Sequence, residues 1–218
     1  MRMFRDNGLT IVLMLLFAFS IVGQWLSGWH VALEDALRHG QPALSLGDYA
    51  VSPEFLSSVF ENWESEFLQM GAYVVLTAVL IQRGSAESKD PEGPSRDQDL
   101  DLQATKPGAP RILRWGSLWR AIYARSLGLV LALLFVLSFV LHWTQSARAA
   151  AEEAIEHGKA APTILAYLGD SQLWFESFQN WQSEFLSTAV LVVLSIFLRQ
   201  RDSPESKPVA APHSQTGA

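Results

Sequence analysis

The chain has 218 residues, of which 49% are hydrophobic and 17% charged, and its formal net charge is −6. The negative charge argues against nucleic acid as a partner, because the basic residues lie beside apolar segments rather than in one broad patch. The absence of cysteine excludes disulfides, thiolate metal sites and thiol catalysis.

The first apolar segment runs from about Leu9 to Trp29 and contains no charged residue. About 20 residues, rising about 1.5 Å each, cross about 30 Å of hydrocarbon, so the segment predicts a transmembrane helix. A signal peptide is the alternative, because Arg2 and Arg5 precede the segment. A matching segment, from about Ser126 to Trp143, lies in mid-chain where no signal peptidase would act. We therefore favour a retained span in both places.

Each of these segments continues into an amphipathic helix and a loop. The first helix covers Trp29 to His39 and ends at Gly40, a typical C-terminal cap, and the second ends at His157-Gly158. Ser52-Pro53-Glu54 is typical of a helix start, and Asp170 or Ser171 takes that place in the second copy. We expect the helices that begin there to continue across the membrane to about Gln82 and Arg199.

Two polar tracts separate and follow these membrane segments. Residues 84–110 and 202–218 are rich in charged residues, proline, glycine and serine and contain few large apolar residues. Such segments cannot bury enough surface to offset the entropy of ordering, so the composition predicts a disordered linker and a disordered tail. The predicted domains are thus a first membrane repeat (1–83), a linker (84–110), a second membrane repeat (111–201) and a tail (202–218).

The second repeat begins with a basic, aromatic lead-in at residues 111–125. Ile112, Trp115, Trp119 and Ile122 fall on one helical face. Four arginines accompany them: Arg111, Arg114, Arg120 and Arg125. This pattern is typical of an interfacial helix on anionic lipid headgroups, and a plain charged approach to the next span is the alternative.

The distribution of basic residues predicts the orientation in the membrane. Arginines lie close to both termini and to the linker, whereas the opposite loops are mostly acidic. The positive-inside rule therefore places both termini and the linker in the cytoplasm. Both repeats then cross in the same sense, which makes them parallel repeats.

A nine-residue signature occurs in both repeats. Phe60-Glu-Asn-Trp-Glu-Ser-Glu-Phe-Leu68 returns 118 positions later as Phe178-Gln-Asn-Trp-Gln-Ser-Glu-Phe-Leu186. On a helix the aromatic residues share one face, and polar residues form a stripe on another. The polar stripe consists of Asn62, Ser65 and Glu66, followed by Gln69, in the first copy and of Asn180, Ser183 and Glu184, followed by Ser187, in the second. Trp25, Trp63, Trp143 and Trp181 are the predicted aromatic residues of the membrane interface.

The distance from each stripe to the next arginine indicates either that the bilayer is thinner here or that the glutamates lie at or just inside the hydrocarbon edge. The helix covers about 26 Å from Glu66 to Arg83 and about 23 Å from Glu184 to Arg199, less than the roughly 30 Å core. A carboxylate there should be paired, hydrogen-bonded or protonated. The stripe can thus form hydrogen bonds between helices, line a pathway for a proton, cation or small solute, or simply be solvated at the membrane interface, and we prefer the first of these interpretations.

Other residues give no catalytic or cofactor assignment. Asp35/His39 and Glu153/His157 are acid–histidine pairs one helical turn apart, a spacing that suits a shared metal ion. The alternative, which we prefer, is a histidine in the last turn of a helix that favours positive charge there. The sequence has no glycine-rich phosphate loop, zinc-protease motif or nucleophile elbow, so we predict no catalytic residue, resident metal or cofactor.

The duplicated signature carries a family resemblance, together with Arg5-Asp-Asn-Gly-Leu9 ahead of the first span and Arg199-Gln-Arg-Asp-Ser-Pro-Glu-Ser-Lys207 after the last. The chain resembles a family of bacterial membrane proteins known only as a domain of unknown function. The resemblance implies a bacterial origin and the inner membrane, and it supplies no activity. The two copies differ in that Glu61 and Glu64 are replaced by Gln179 and Gln182.

Together these features predict an all-α integral membrane protein with four transmembrane helices, arranged as two parallel two-helix repeats with an extracytoplasmic amphipathic helix in each. We expect a non-enzymatic structural or interaction component of the bacterial envelope. The alternative is a small transporter or channel that uses Glu66 and Glu184. Four spans are few for enclosing a pathway, so this alternative calls for a homo-oligomer.

Overall fold

The computed structural model describes residues 2–94, 97 and 99–217, apart from the side chains of Arg2, Met3 and Arg5. The basic side chains of Arg2 and Arg5, used above for the orientation, thus lie outside the described part. The elements in chain order are α1 (Arg2–His39), α2 (Leu46–Tyr49), α3 (Pro53–Val79), α4 (Leu100–Gln103), a 3₁₀ helix (Arg111–Arg114), α5 (Ser117–Tyr123), α6 (Ser126–Glu156), α7 (Ile164–Tyr167) and α8 (Ser171–Phe197). Every regular element in these ranges is helical, which confirms the all-α class.

Two of the helices are long and apolar enough to span a membrane. They are Asp6–His39 within α1 and Ser126–Glu156, which is α6. Both carry large apolar side chains on the surface, such as Phe19, which is 78% exposed, and Leu127, which is 61% exposed. α3 and α8 lack an apolar stretch of that length, because the polar signature occupies their first halves. The prediction of four spans in two repeats therefore stays a prediction.

The C-terminal caps of α1 and α6 follow from glycines at their ends. Gly40 has φ +67°, and the amide of Gln41 donates to the carbonyl of Ala36 at 2.8 Å. Gly158 has φ +64°, and Lys159 donates to Ala154 at 2.7 Å. This bond, from the residue after the glycine back into the last turn of the helix, is the Schellman arrangement. α1 continues through Trp29 without the expected change of element.

The predicted starts of α3 and α8 are present in the structure. Ser52 Oγ accepts from the amide of Phe55 at 3.2 Å, and Asp170 Oδ1 accepts from that of Gln172 at 2.8 Å. Each bond satisfies a helix amide that has no partner within the helix. The helices end at Val79 and Phe197, short of the expected Gln82 and Arg199.

The first of two compact units comprises the chain up to Phe60 together with Leu141–Gly169. The phenol rings of Tyr49 and Tyr167 are buried in it, each on a short helix after the loop. A Cβ on Gly28 would lie 2.5 Å from the Tyr49 hydroxyl, so only glycine leaves room for this ring against α1. The hydroxyls of Ser57 and Ser146 lie 2.5 Å apart and join α3 to α6 within this unit.

The second unit comprises Glu61–Val140 and the chain from Asp170 onward. Glycines bring α3 and α6 close together there. A Cβ on Gly71 would lie 3.4 Å from that of Leu131, and one on Gly128 would lie 3.5 Å from Val75. Small residues that allow such close approach are typical of helix contacts in membranes.

The lead-in to α6 differs from the single interfacial helix that we predicted. The segment forms a 3₁₀ helix at Arg111–Arg114 and the seven-residue α5, separated by Gly116. Gly116 has φ +117°, a conformation that other residues rarely adopt, so the helix cannot pass through it. The disorder predicted for residues 84–110 and 202–218 stays a prediction, and the described parts of both tracts contain turns that contact α8.

Candidate functional site

The residues of the predicted polar stripe differ in their exposure. Ser65 is buried, and its hydroxyl donates to the carbonyl of Asn62 at 2.9 Å, while the side chains of Asn62 and Glu66 are exposed. In the second copy, Asn180 and Glu184 are half-buried and Ser183 is exposed. Ser183 repeats the bond of Ser65, since its hydroxyl donates to the carbonyl of Asn180 at 2.8 Å.

The side chains that form hydrogen bonds between α3 and α8 are mostly neighbours of the stripe residues rather than the stripe residues themselves. Glu64 is fully buried, and its Oε1 accepts from the indole N–H of Trp181 at 2.9 Å. The amide of Asn180 donates to Glu61, and the amide of Gln69 donates to the hydroxyl of Thr188. Of these six residues, only Asn180 and Gln69 belong to the predicted stripe. The second copy has glutamine in place of Glu61 and Glu64, and this difference was the one feature of the sequence that indicated a role for the two acids that the second copy does not share.

Three of the four predicted interface tryptophans have defined hydrogen bonds. Trp25 Nε1 donates to the carbonyl of Leu46 at 3.0 Å, and Trp143 Nε1 donates to that of Ile164 at 2.8 Å. These two bonds hold the short helices α2 and α7 against the preceding long helices. Trp181 binds Glu64 and packs edge-on to the ring of Phe178, and Trp63 is half-buried. The tryptophans thus position neighbouring elements.

The two acid–histidine pairs have the geometry of helix ends. His39 Nδ1 donates to the carbonyl of Asp35 at 3.0 Å, and His157 Nδ1 donates to that of Glu153 at 2.8 Å. The Asp35 carboxylate also lies 3.4 Å from His39 Nδ1. A ring nitrogen that donates to a carbonyl is not available to a metal, so this nitrogen serves the last helical turn in both copies.

Sequence analysis missed a second duplicated motif, at the other ends of α3 and α8. Gln-Arg-x-Ser-x-Glu-Ser-Lys occupies residues 82–89 and 200–207, again 118 positions apart. Both copies, named here the duplicated turn, form the same hydrogen bonds. The amides of Gln82 and Gln200 donate to the hydroxyls of Ser88 and Ser206, at 3.0 and 2.9 Å. A search for matches at the signature's spacing would have found this motif.

The lysines that close the duplicated turns have different surroundings. Lys207 is 1% exposed, and its ammonium donates to main-chain carbonyls of Gly84, Pro212, His213 and Gln215. Burial lowers the pKa of Lys207, and the charge of Arg199 acts in the same direction. Lys89 in the first copy is exposed and donates to the carbonyl of Ala78 at 2.6 Å. The buried Lys207 therefore ties the end of the chain to the beginning of the linker.

A cavity of about 340 Å³ lies beside the first duplicated turn. Its apolar walls come from Leu76, Leu80, Ile81, Phe185, Ala189 and Val192, and its polar lining comes from Gln69, Tyr73, Thr77, Gln82, Glu87, Ser88 and Thr188. Glu87 Oε2 accepts from the Tyr73 hydroxyl at 3.0 Å. Burial raises the pKa of Glu87, the Tyr73 hydrogen bond opposes this effect, and the charge of Glu205 and a side-chain hydrogen bond with Glu205 add to it.

These features define a helical protein with two helices that can span a membrane and with paired polar motifs at both ends of α3 and α8. The chain belongs to the family described as "Domain of unknown function (DUF6766)", whose model matches residues 1–218. No curated protein and no solved structure matches it.

Proposed function

We propose that the protein is a multi-pass component of the bacterial inner membrane with a non-enzymatic, structural or interaction role. The observation that carries the proposal is that buried and half-buried polar groups of the signature, and of the residues just after it, form hydrogen bonds between helices. Glu64 contacts Trp181, and Gln69 contacts Thr188, so these side chains are engaged in joining α3 to α8. Interhelical hydrogen bonds of this kind stabilise membrane helix pairs.

We assign α3 and α8 as the second and fourth spans. Each has 27 residues, or about 40 Å of helix, which exceeds the hydrocarbon thickness. Beyond the signature both helices expose large apolar side chains, such as Val79 at 69% and Phe197 at 58%. Exposed apolar surface on long helices suits lipid as the surrounding medium, and parallel repeats with cytoplasmic termini suit the positive-inside rule.

The segment before α6 supports contact with anionic lipid headgroups. Trp115, Leu118 and Trp119 are exposed beside the basic residues of this segment. Arg120 contacts Asp101, and Arg114 Nε donates to the carbonyl of Ala104, so these two arginines also serve the linker. Arg111 and Arg125 are exposed and complete the basic surface. Aromatic rings beside arginines are typical of a membrane-surface segment.

A transporter or channel that uses Glu66 and Glu184 is the second candidate. One observation favours it: Glu66 is exposed, Glu184 is half-buried, and their charges interact. Two carboxylates close together near the hydrocarbon edge can attract a cation or share a proton. A pathway built from four spans calls for a homo-oligomer.

Replacement of Trp181 by phenylalanine tests the structural role. The ring remains, but Glu64 loses an indole donor, so we expect the free energy of unfolding in mixed micelles to fall by about 1–3 kcal/mol. The matched control is Trp119→Phe, at an exposed ring that stacks edge-on against Trp115, and it should leave stability unchanged.

The same preparation separates the two candidate functions. If the role is structural, wild-type protein in proteoliposomes should give no proton or cation flux above that of protein-free vesicles. Glu66→Gln and Glu184→Gln should give the same result. Wild-type flux that both substitutions abolish, with unfolding unchanged, would establish the transporter in place of the structural role. An unaltered stability of Trp181→Phe would likewise refute the helix-joining role of Glu64.

A further inference from the structure

The cavity beside the first duplicated turn combines an acid with apolar walls. Its volume of about 340 Å³ falls within the range of about 300–1,000 Å³ for small-molecule sites. Most of its polar lining is engaged within the protein. Gln69 contacts Thr188, the Thr77 hydroxyl donates to the carbonyl of Tyr73 at 2.8 Å, and Ser88 accepts from Gln82.

Glu87 is the exception in this lining. Its Oε2 accepts from Tyr73, and its Oε1 is buried with no N–H or hydroxyl donor among the described residues. Glu205 of the second duplicated turn lies within hydrogen-bond reach of Glu87, so the two acids form a hydrogen bond when one of them carries a proton. When both are ionised, Oε1 has no donor and the two charges repel, which is costly.

The basic side chains of this part of the protein do not neutralise Glu87. Among the described residues that line the cavity, none is basic. Arg83 pairs with Glu92 at 3.0 Å, and Lys89 and Lys207 donate to main-chain carbonyls. Arg199 donates to the carbonyls of Ser195, Ile196, Leu198 and Ala211, and Arg201 lies 3.8 Å from Asp202. Each base has another acceptor, so the charge deficit at Glu87 remains.

We propose that this cavity binds an organic ammonium ion with a compact apolar body, held by the Glu87 carboxylate. The ammonium supplies the donor and the positive charge that Glu87 lacks, and the body contacts Leu76, Leu80 and Val192. The rings of Tyr73 and Phe185 in the lining add faces that attract cations. A metal ion would fit less well, because the walls beyond Glu87 are mostly apolar.

The probe for this site is 2-phenylethylamine, titrated by calorimetry into the full chain in phosphatidylcholine nanodiscs, with empty nanodiscs subtracted. The zwitterionic lipid removes non-specific attraction of the amine to anionic headgroups. We expect saturable binding of the amine and at least about tenfold weaker binding of the neutral isostere 2-phenylethanol. Equal binding of the alcohol, or no saturable binding of the amine, overturns the proposal.

Glu87→Gln keeps the shape of the side chain and removes its charge, so affinity for the amine should fall about tenfold or more. The matched control is Glu92→Gln, at an exposed acid of the same segment, which should bind like wild type. Unchanged affinity in Glu87→Gln, or an equal loss in Glu92→Gln, contradicts the assignment.

A pH series on the wild-type protein makes the test independent of how the variants fold. Because burial raises the pKa of Glu87, amine affinity should increase with pH as the carboxylate forms, over the range in which the amine remains charged. Tyr73, Glu205 and the bases named above are the other charged or titratable groups nearby. A carboxyl group that titrates while amine affinity stays constant would mean a site for a proton only.

Discussion

At the scale of single residues, the two copies of the signature are chemically complementary. α3 carries Glu61 and Glu64, whereas α8 carries Gln179 and Gln182 at the corresponding positions. The carboxylates of α3 accept from Asn180 and Trp181 of α8. At the corresponding positions of α8, Gln179 and Gln182 are exposed. The acids therefore occur in the copy whose side chains accept hydrogen bonds from the other helix.

The pKa of Glu87 leads to a prediction about stability. A carboxyl group whose pKa is raised on folding holds its proton more firmly in the folded protein, so its contribution is fully present below the ordinary carboxyl pKa. That contribution is lost as the pH rises through the raised value. We expect Glu87→Gln to be more resistant to thermal unfolding than wild type near neutral pH, with the difference shrinking in acid.

The measurement is a set of melting curves in one detergent across this pH range, with Glu92→Gln as the control. A stabilisation by Glu87→Gln that is as large in acid as at neutral pH would show that burial of charge is not the cause. The comparison uses differences between variants, so that the titration of other groups, which both proteins share, cancels.

At the scale of elements, sequence reasoning succeeds where the cause is local. The caps at Ser52, Gly40 and Gly158 depend on residues within one turn, and each lies where the sequence placed it. The break at Gly116 is equally local, but the arginines and aromatic residues around it suggested a continuous helix. The duplicated turns were not predicted, because the low content of apolar residues in these segments indicated disorder. Composition gives no information on local hydrogen bonds such as the one that the Glu87 amide donates to the Ser85 hydroxyl.

The pairing of distant elements was beyond the reach of such reasoning. The buried ammonium of Lys207 binds the carbonyl of Gly84, and the hydroxyls of Ser85 and Ser195 lie 2.8 Å apart. These contacts join positions more than a hundred residues apart, and the pattern of residues around each position does not predict its partner. The partners of Glu61 and Glu64 were hidden for the same reason, although the helices that carry them were predictable.

The contact of α1 with α2 gives a prediction for two glycines of the same helix. Gly28→Ala would place a methyl group against the Tyr49 hydroxyl, and overpacking of this kind costs about 1–3 kcal/mol. Gly23→Ala is the matched control, since nothing lies within 4 Å of its added methyl group. Alanine should stabilise the helix there by up to about 1 kcal/mol. Unfolding in mixed micelles measures both, and equal effects at the two positions would show that Tyr49 is not held against α1.

At the scale of the whole molecule, the surface indicates which medium the helices meet. Long helices that expose residues such as Phe19, Leu133 and Val79 would present large apolar patches to water. Soluble proteins seldom expose contiguous apolar surface of that extent. In lipid the same residues need no cover, and polar groups between the helices become the specific contacts. The exposed apolar side chains therefore suit a lipid environment for the long helices.

The proposed orientation can be tested directly because the chain has no cysteine. Single cysteines at two exposed lysines, Lys106→Cys in the linker and Lys159→Cys in the loop after α6, provide matched probes. The positive-inside rule places residue 159 outside the cell and residue 106 in the cytoplasm. A membrane-impermeant maleimide should therefore label Lys159→Cys in intact spheroplasts and Lys106→Cys only after permeabilisation. The reverse order would invert the topology, and equal labelling of both before permeabilisation would show that α6 does not separate them.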